Sequence, residues 1–307
     1  MDNLTHSLIG AALGQAGLKR KTGLAMPALI VGANLPDIDA GCVVYGIESL
    51  AMRRGITHGP IALVVLPLLL AGALWWFDKW QARHGKRPEG RLPVRFGWLL
   101  ALNFIACLTH PLFDWFNNYG IRLLEPFSSE WFYGDTLFII DPWIIAMLGV
   151  WVWFSLRREL SGNPGWARPA RAALAGVAAF VGLNLAIVLE VVAQATRTVP
   201  QATMIVANAV PLAFWRREVL VRSDRLYGSY RSKAFLALKG EQSPRQIGMA
   251  DPRIAEWSRH DPAAQAFLFW SRMPVAELHP DRIVLRDQRF LDPRVAGRFS
   301  VTLRPPR

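Results

Sequence analysis

Residues 96–115 read FGWLLALNFIACLTHPLFDW, an apolar run that ends with His110 and Asp114. A run of about 20 mostly apolar residues is long enough to cross the hydrocarbon core of a bilayer as a helix. Ionisable groups are costly in such surroundings unless they are paired or bind a metal ion. The stretch therefore predicts a membrane helix that carries a functional group near its end.

The whole chain has a membrane-protein composition. Its 307 residues are 52% hydrophobic, and its mean hydropathy is +0.21. These values exclude a disordered chain and are unlike those of an average soluble domain. Four further apolar runs are predicted to span the membrane, at residues 22–47, 57–77, 137–156 and 171–193. A shorter run, residues 4–18, predicts a half-length or re-entrant helix.

The composition changes at about residue 196. Beyond it the apolar runs shorten, and residues 202–210, 217–221 and 282–285 are rich in β-forming residues with interspersed charge. We therefore predict a mainly α-helical integral membrane bundle over residues 1–195, with about five spanning helices and a short N-terminal helix. A soluble α+β or β domain is predicted over residues 196–307.

Targeting and cysteine use agree with this class. Residues 1–17 lack the basic start of a cleavable signal peptide, so we expect the membrane segments themselves to target the protein. Cys42 and Cys107 both lie in apolar segments. Their positions predict packing roles and argue against a disulfide or a cysteine zinc site.

The net charge of +12 comes from basic residues grouped between the apolar runs. Such groups face the cytoplasm in membrane proteins, and we favour this interpretation over a nucleic-acid surface. The groups are Lys19, Arg20 and Lys21; Lys79, Arg83, Lys86, Arg87, Arg91 and Arg95; and Arg157, Arg158, Arg168 and Arg171. Orienting the helices by these groups places the C-terminal domain outside the cytoplasm. Arg53 and Arg54 do not fit, because the same count places them outside as well.

This orientation places seven histidines and aspartates at the non-cytoplasmic face, in the short sequence motifs THS, LPDID, ITHGP, THPLFD and YGDT. They are His6, Asp37, Asp39, His58, His110, Asp114 and Asp135. His110 and Asp114 are four residues apart and share one face of a helix, with Pro111 predicting a kink or a helix end between them. Asp37 and Asp39 suit an extended or broken segment, which Pro36 favours.

This set predicts a metal centre. Four carboxylates in one partly dehydrated site carry more negative charge than three neutral histidines can offset, whereas two divalent cations could offset it. Mixed imidazole and carboxylate ligation fits zinc, with manganese or iron as alternatives. A bridging carboxylate and a shared water of near-neutral pKa would supply a nucleophile for phosphoester hydrolysis. Asp37 and Asp39 are the candidates for the bridging ligand or the general base.

Residues in several of these motifs also have a simpler, structural interpretation in place of metal binding. His6 and His58 could each be a hydrogen-bonded core residue near a helix start. Asp135 also fits a turn, and Asp141 is most simply a helix N-cap. Two other functions stay open: a cation-coupled transporter whose site is reached from both sides, and a membrane-anchored binding protein whose C-terminal domain does the binding.

Four ordered segments, MDNLTHSLIG, NLPDIDA, RRGITHG and LTHPLFDWFNNYG, resemble the YdjM/YfhP-like family of membrane-bound, predicted metal-dependent hydrolases. The resemblance covers about residues 1–150, and the C-terminal portion with HPDRIVLRDQRF is similar to the longer bacterial members. That family is distantly similar to zinc-dependent phospholipase C and the fungal single-strand nucleases. The resemblance implies a membrane-bound, metal-dependent hydrolase of the bacterial inner membrane. The predicted position of the site, near the outer face at membrane depth, favours a phosphoester or another lipid-linked bond as its substrate.

The resemblance also implies a ligand set. His6, an aspartate of LPDID, His58 and the pair of His110 and Asp114 would be metal ligands. The zinc enzymes carry further histidines and a later His-x-x-x-Glu pair, whereas this chain has no histidine between His110 and His260. The missing histidines argue for two metal ions rather than three. Membrane lipid or a lipid-linked substrate is the predicted partner, and no nucleic acid is expected.

Overall fold

The computed structural model of the chain describes residues 1–233, 238–241, 244–293 and 295–306. Internal contacts divide the chain into two compact units. The first contains Met1–Ile38 and Arg54–Leu185, and the second contains Asp39–Arg53 and Ala186–Arg307. The domain ranges 1–195 and 196–307 stay a prediction, since this division follows contacts and takes a short N-terminal segment into the second unit.

The α-helices of the described residues are α1 (Asn3–Gln15), α2 (Ala25–Gly32), α3 (Ser49–Met52), α4 (Pro60–Arg83), α5 (Phe96–Trp115), α6 (Pro142–Leu160), α7 (Arg168–Thr198), α8 (Pro252–Ser258) and α9 (Pro262–Trp270). In the first unit α1 packs against α2, α5 and α6, and α5 also packs against α2 and α4. Short 3-10 segments connect several of them, including Leu35–Glu48 and Ile56–His58.

Three helices within the described ranges, α4, α5 and α7, are long and apolar enough to cross a membrane. A fourth span results if α2 and Leu35–Met52, which meet at a bend of 42°, are counted as one broken span. The predicted helical membrane architecture is thus confirmed, but the predicted number of about five spans is not. The one predicted span without a match among these helices, residues 137–156, corresponds to α6. This helix begins only at Pro142 and has Arg157 and Arg158 in its last turn. Its apolar part is roughly 22 Å long at 1.5 Å per residue, short of a core of about 30 Å.

The closest approach of α1 to α2 is made possible by Gly10. A Cβ atom at this position would lie 2.8 Å from the carbonyl carbon of Leu29 and 2.9 Å from Cα of Ile30. Glycine, which has no Cβ, allows the two backbones to touch. The contact sets α1 against α2 one turn after His6, so it helps to position that side chain.

The second unit contains two antiparallel sheets. In the first sheet β1 (Met204–Ala209), β2 (Arg216–Arg222) and β3 (Leu226–Lys233) pair in order, and both β4 (Lys239–Glu241) and β5 (Arg245–Gln246) pair with β3. The second sheet is β6 (Pro274–Leu278), β7 (Ile283–Asp287) and β8 (Ser300–Leu303). Helices α8 and α9 lie between the two sheets in sequence. The α+β alternative predicted for the C-terminal part is therefore the one observed.

A buried ion pair stabilises the end of β7. Asp287 is fully buried, and its carboxylate accepts hydrogen bonds from Arg289 (2.8 Å) and from Ser271 (2.6 Å). Burial by itself would raise the pKa of Asp287, but the charge and hydrogen bonds of Arg289, together with Ser271, outweigh burial and hold this pKa below its ordinary value. Asp287 is consequently ionised in the folded unit near neutral pH.

Candidate metal centre

Helix α5 supplies one histidine and one aspartate, one helical turn apart. His110 and Asp114 are both fully buried, and His110 Nε2 lies 3.6 Å from Asp114 Oδ2. The i, i+4 spacing places both side chains on the same helix face, as the sequence predicts. α5 continues past Pro111 and ends at Trp115, so the helix end predicted near Pro111 lies one turn further on.

The segment after α2 supplies Asp37. The helix ends at Gly32, and a 3-10 segment begins at Leu35, which is the break that Pro36 predicts. Asp37 Oδ1 lies 3.7 Å from His110 Nε2. The side chain of Asn34 donates a hydrogen bond to Ser7 Oγ (3.0 Å) and thereby ties this segment to α1.

His58 and His6 approach the same carboxylate from two other segments. His58 ends the short 3-10 segment before α4, and its Nε2 lies 3.5 Å from Asp114 Oδ2. His6 is on α1, with Nε2 3.4 Å from Asp114 Oδ1 and its ring stacked on that of His110 at 3.8 Å between centroids. Both histidines are completely buried.

Four of these side chains form one buried group with the geometry of a metal site. Asp37, His58, His110 and Asp114 each offer a ligand atom, and these atoms all lie within 4.8 Å of one another. Two imidazoles and two carboxylates match the ligands and the coordination number that zinc prefers, and manganese or iron accept the same donors. The buried group could therefore bind a metal ion.

A hydrogen bond at Nδ1 of His110 leaves the other ring nitrogen, Nε2, in the form that can bind a cation. Nδ1 lies 2.7 Å from the carbonyl oxygen of Ala33, and since a carbonyl only accepts, Nδ1–H is the donor. In the neutral ring Nε2 then carries the lone pair, and this atom faces Asp37 and Asp114. The Nε2 atoms of His6 and His110 make no hydrogen bond within the described part of the chain. The buried Nε2 of His110, in a ring oriented by a backbone carbonyl, fits a metal ligand.

Arg54 is a site residue that the sequence reasoning missed. It is 4% exposed and contacts both carboxylate oxygens of Asp114, with Nε 2.9 Å from Oδ2 and Nη2 3.1 Å from Oδ1. Its Nη1 also donates to Asn117 Oδ1 (2.9 Å), and its guanidinium lies 4.8 Å from the centre of the Tyr119 ring. The sequence contains a signal for this role, because Arg54 is predicted at the non-cytoplasmic face, where positive charge is not expected. An arginine buried at such a position needs an anionic partner.

Two further predicted ligands, Asp39 and Asp135, are not members of the group of four. Asp39 belongs to the second unit, where its carboxylate lies 4.0 Å from Arg53 Nε. Asp135 is half-buried in the loop after α5 and has a positive φ of 50°, which agrees with the turn that the sequence also allowed. Asp141 caps α6, as predicted, by accepting hydrogen bonds from the amides of Trp143 and Ile144.

The fold and the site together define a helical membrane protein with a buried histidine and aspartate group that could bind a metal ion. The chain belongs to the YdjM inner membrane protein family, whose sequence model matches residues 1–195. The family resemblance of the four ordered segments is thus confirmed.

A curated relative extends this comparison. Over 179 residues the chain is 27% identical to the uncharacterized protein YfhP of Bacillus subtilis (strain 168), and the matched region covers 54% of this chain and 48% of that protein. The chain thus spans about half the length of the curated relative that it matches. No solved structure matches the chain.

Proposed function

We propose that this protein is a multi-pass, metal-dependent hydrolase of the inner membrane. It acts on a phosphoester or lipid-linked substrate at the outer face. The C-terminal domain lies on the same side if α6 crosses the membrane together with the spans described above. The observation that carries the proposal is the buried group of Asp37, His58, His110 and Asp114. Such a group is costly to bury in an apolar helical unit unless its members are paired or bind a cation. Arg54 and the amino group of Met1 pair with Asp114, and a bound metal ion would offset the charge of Asp37 and use the lone pairs of the histidines.

Zinc is the proposed metal, with manganese or iron as alternatives. A catalytic zinc ion takes three protein ligands and keeps one position for water, so His58, His110 and Asp114 could hold one ion while Asp37 faces the water. Two ions, as predicted from the sequence, would need a further ligand, and His6 is a candidate because its Nε2 lies 3.4 Å from Asp114 Oδ1. Asp39 and Asp135 stay predicted ligands.

The protein side chains have separable roles in this mechanism. A bound divalent ion supplies Lewis acidity and lowers the pKa of a water molecule toward neutrality. Asp37, whose carboxylate faces the free nitrogen of His110, is placed to accept the proton of the attacking water. Arg54 fixes the plane of the Asp114 carboxylate by contacting both of its oxygens. The apolar surroundings favour a substrate that itself carries a hydrocarbon part.

The proposal is tested with detergent-purified full-length protein, a chromogenic phosphodiester and a short-chain phospholipid as substrates. His110→Ala should lose both bound metal and hydrolysis, and Asp37→Asn should reduce hydrolysis by about a hundredfold or more, the usual contribution of a general base. Asp224→Asn, at an exposed position of the second unit, is the matched control. Hydrolysis that persists in folded, metal-free protein would overturn the proposal.

The transporter alternative differs in access to the site. A hydrolase site at one helix end is reached from one compartment, whereas a transporter site alternates between both. Cysteine substitution at Asp37, followed by labelling from each side of sealed vesicles, separates the two functions. Labelling from both sides would favour transport.

A further inference from the structure

A basic cavity of about 760 Å³ lies in the first unit, away from the metal-site residues. It is formed by residues that follow α1, by the end of α6 and by the beginning of α7. Five cationic side chains line it, and the described lining contains no aspartate or glutamate. These cations are Arg20, Lys21, Arg158, Arg168 and Arg171. The positive electrostatic potential of five cations around one cavity favours the binding of an anionic ligand.

Several of these cations are held in place by protein contacts that leave their charge uncompensated. Arg20 lies over the ring of Trp166, 4.8 Å from its centre, and Trp166 itself is only 4% exposed. Arg171 Nε donates a hydrogen bond to the carbonyl oxygen of Ala16 (2.9 Å). The acidic residue at the end of α6, Glu159, is paired with Lys19, which does not line the cavity. The five cations are exposed to solvent, and the contacts of Arg20 and Arg171 keep two of them at the cavity, where their charge is accessible to a ligand.

An apolar groove of about 350 Å³ adjoins the cavity on the surface of α6 and α7. Trp151, Phe154 and Ala172 line it, and two of its lining residues, Arg158 and Arg168, also line the basic cavity. Two arginines thus stand where a cationic cavity meets a hydrocarbon-binding surface. A ligand that fills both must have an anionic head and an apolar tail.

We propose that this composite site binds an anionic phospholipid, with the phosphate-bearing headgroup in the basic cavity and an acyl chain in the groove. A free phosphate ion would use the cavity and leave the groove empty, so the adjoining groove is the reason for choosing the lipid. Basic pockets between membrane helices bind anionic headgroups in this way. The lining residues belong to two of the basic groups whose positions predict the cytoplasmic face. The proposal does not rest on the hydrolase function, because it uses none of the metal-site residues.

The test measures lipid retention by native mass spectrometry of the detergent-purified full chain, titrated with phosphatidylglycerol or with phosphatidylcholine of the same chain length. The triple variant Arg20→Gln, Arg158→Gln and Arg168→Gln removes three lining charges. Its matched control is Lys79→Gln, Arg83→Gln and Lys86→Gln, which removes the same charge around the end of α4. We expect wild type and control to prefer phosphatidylglycerol. The cavity variant should bind it roughly fivefold more weakly per removed charge, about a hundredfold in total.

Two further arms separate a lipid from a phosphate ion. Trp151→Ala, in the groove, should weaken binding of the long-chain lipid without changing the affinity for glycerol phosphate, and inorganic phosphate should displace the lipid poorly. The proposal is overturned if phosphatidylcholine binds as well as phosphatidylglycerol, or if the two triple variants lose affinity equally. Efficient displacement by inorganic phosphate would overturn it too. Thermal unfolding of each variant confirms that the loss is local.

Discussion

Replacing Arg54 by Met removes the guanidinium that contacts both oxygens of Asp114 and leaves that carboxylate buried. Asp114 is fully buried, and Arg54 is 4% exposed. Breaking a buried ion pair from one side costs about 3–5 kcal/mol, because the remaining charge loses a partner in a desolvated site. The amino group of Met1, which also contacts Asp114, remains in the variant. The variant also leaves the side chain of Asn117 without the hydrogen bond from Arg54.

This cost converts into a measurable shift of the unfolding temperature. For a unit of this size, 1 kcal/mol corresponds to about 2–4 °C, so metal-free Arg54→Met should unfold roughly 6–20 °C below wild type. The assay is thermal unfolding of the detergent-purified, chelator-treated protein. Arg54→Lys should recover part of the loss, since it restores the charge but not the two-point contact with the carboxylate.

The neighbouring arginine provides the control. Arg53 is partly exposed and lies 4.0 Å from Asp39, so Arg53→Met should change the unfolding temperature little. Equal unfolding temperatures of Arg54→Met and Arg53→Met would contradict a stabilising ion pair between Arg54 and Asp114. Arg54→Lys as unstable as Arg54→Met would contradict it too, because the loss would then come from packing and not from charge.

Three other substitutions test the packing of the first unit and the buried ion pair of the second. Gly10→Ala should destabilise the protein by about 1–3 kcal/mol, because the new Cβ would clash with the α2 backbone. Gly72→Ala, whose Cβ would meet no atom within 4 Å, is the control and should stabilise α4 by about 0.5–1 kcal/mol. Equal shifts of the unfolding temperature in the two variants would contradict the close approach of α1 to α2. The pKa of Asp287 is lower in the folded state than its unfolded value of about 3.9, so the folded unit binds fewer protons around that pH. The stabilisation that the ion pair gives to the folded unit is therefore full above about pH 4, and it is lost as the pH falls below that value. Asp287→Asn should cost about 3–5 kcal/mol and flatten this acid dependence, measured by circular dichroism between pH 2 and about pH 6; an unchanged acid midpoint would count against the pair.

The sequence was sufficient to predict much of the site because its residues mark helix ends. Orienting the helices by basic groups placed His58, His110 and Asp37 at one face, and the structure brings these three together with Asp114. Helical periodicity gave the pair on α5, and Pro36 gave the break that presents Asp37. Each of these inferences uses local geometry that a linear pattern contains.

Other features depend on tertiary contacts that no local pattern contains. Arg54 was treated only as an exception to the charge distribution, yet its burial beside Asp114 is decided by the packing of three separate segments. Asp39 lies two residues from Asp37 but in the other compact unit. The apolar run at residues 137–156 is a different case: it overestimates α6, although the Asp141 cap that begins the helix is a local signal. Hydropathy counts residues and does not show where a helix begins.

The central claim is that Asp37, His58, His110 and Asp114 hold a metal ion. Elemental analysis of the detergent-purified full chain, compared with His110→Ala and Asp37→Asn, tests it most directly. We predict at least one equivalent of zinc, manganese or iron in the wild type, retained through gel filtration, and its loss in His110→Ala, which removes a ligand. Folded wild-type protein that contains no such metal, and gains none when the ions are added back, would contradict the claim.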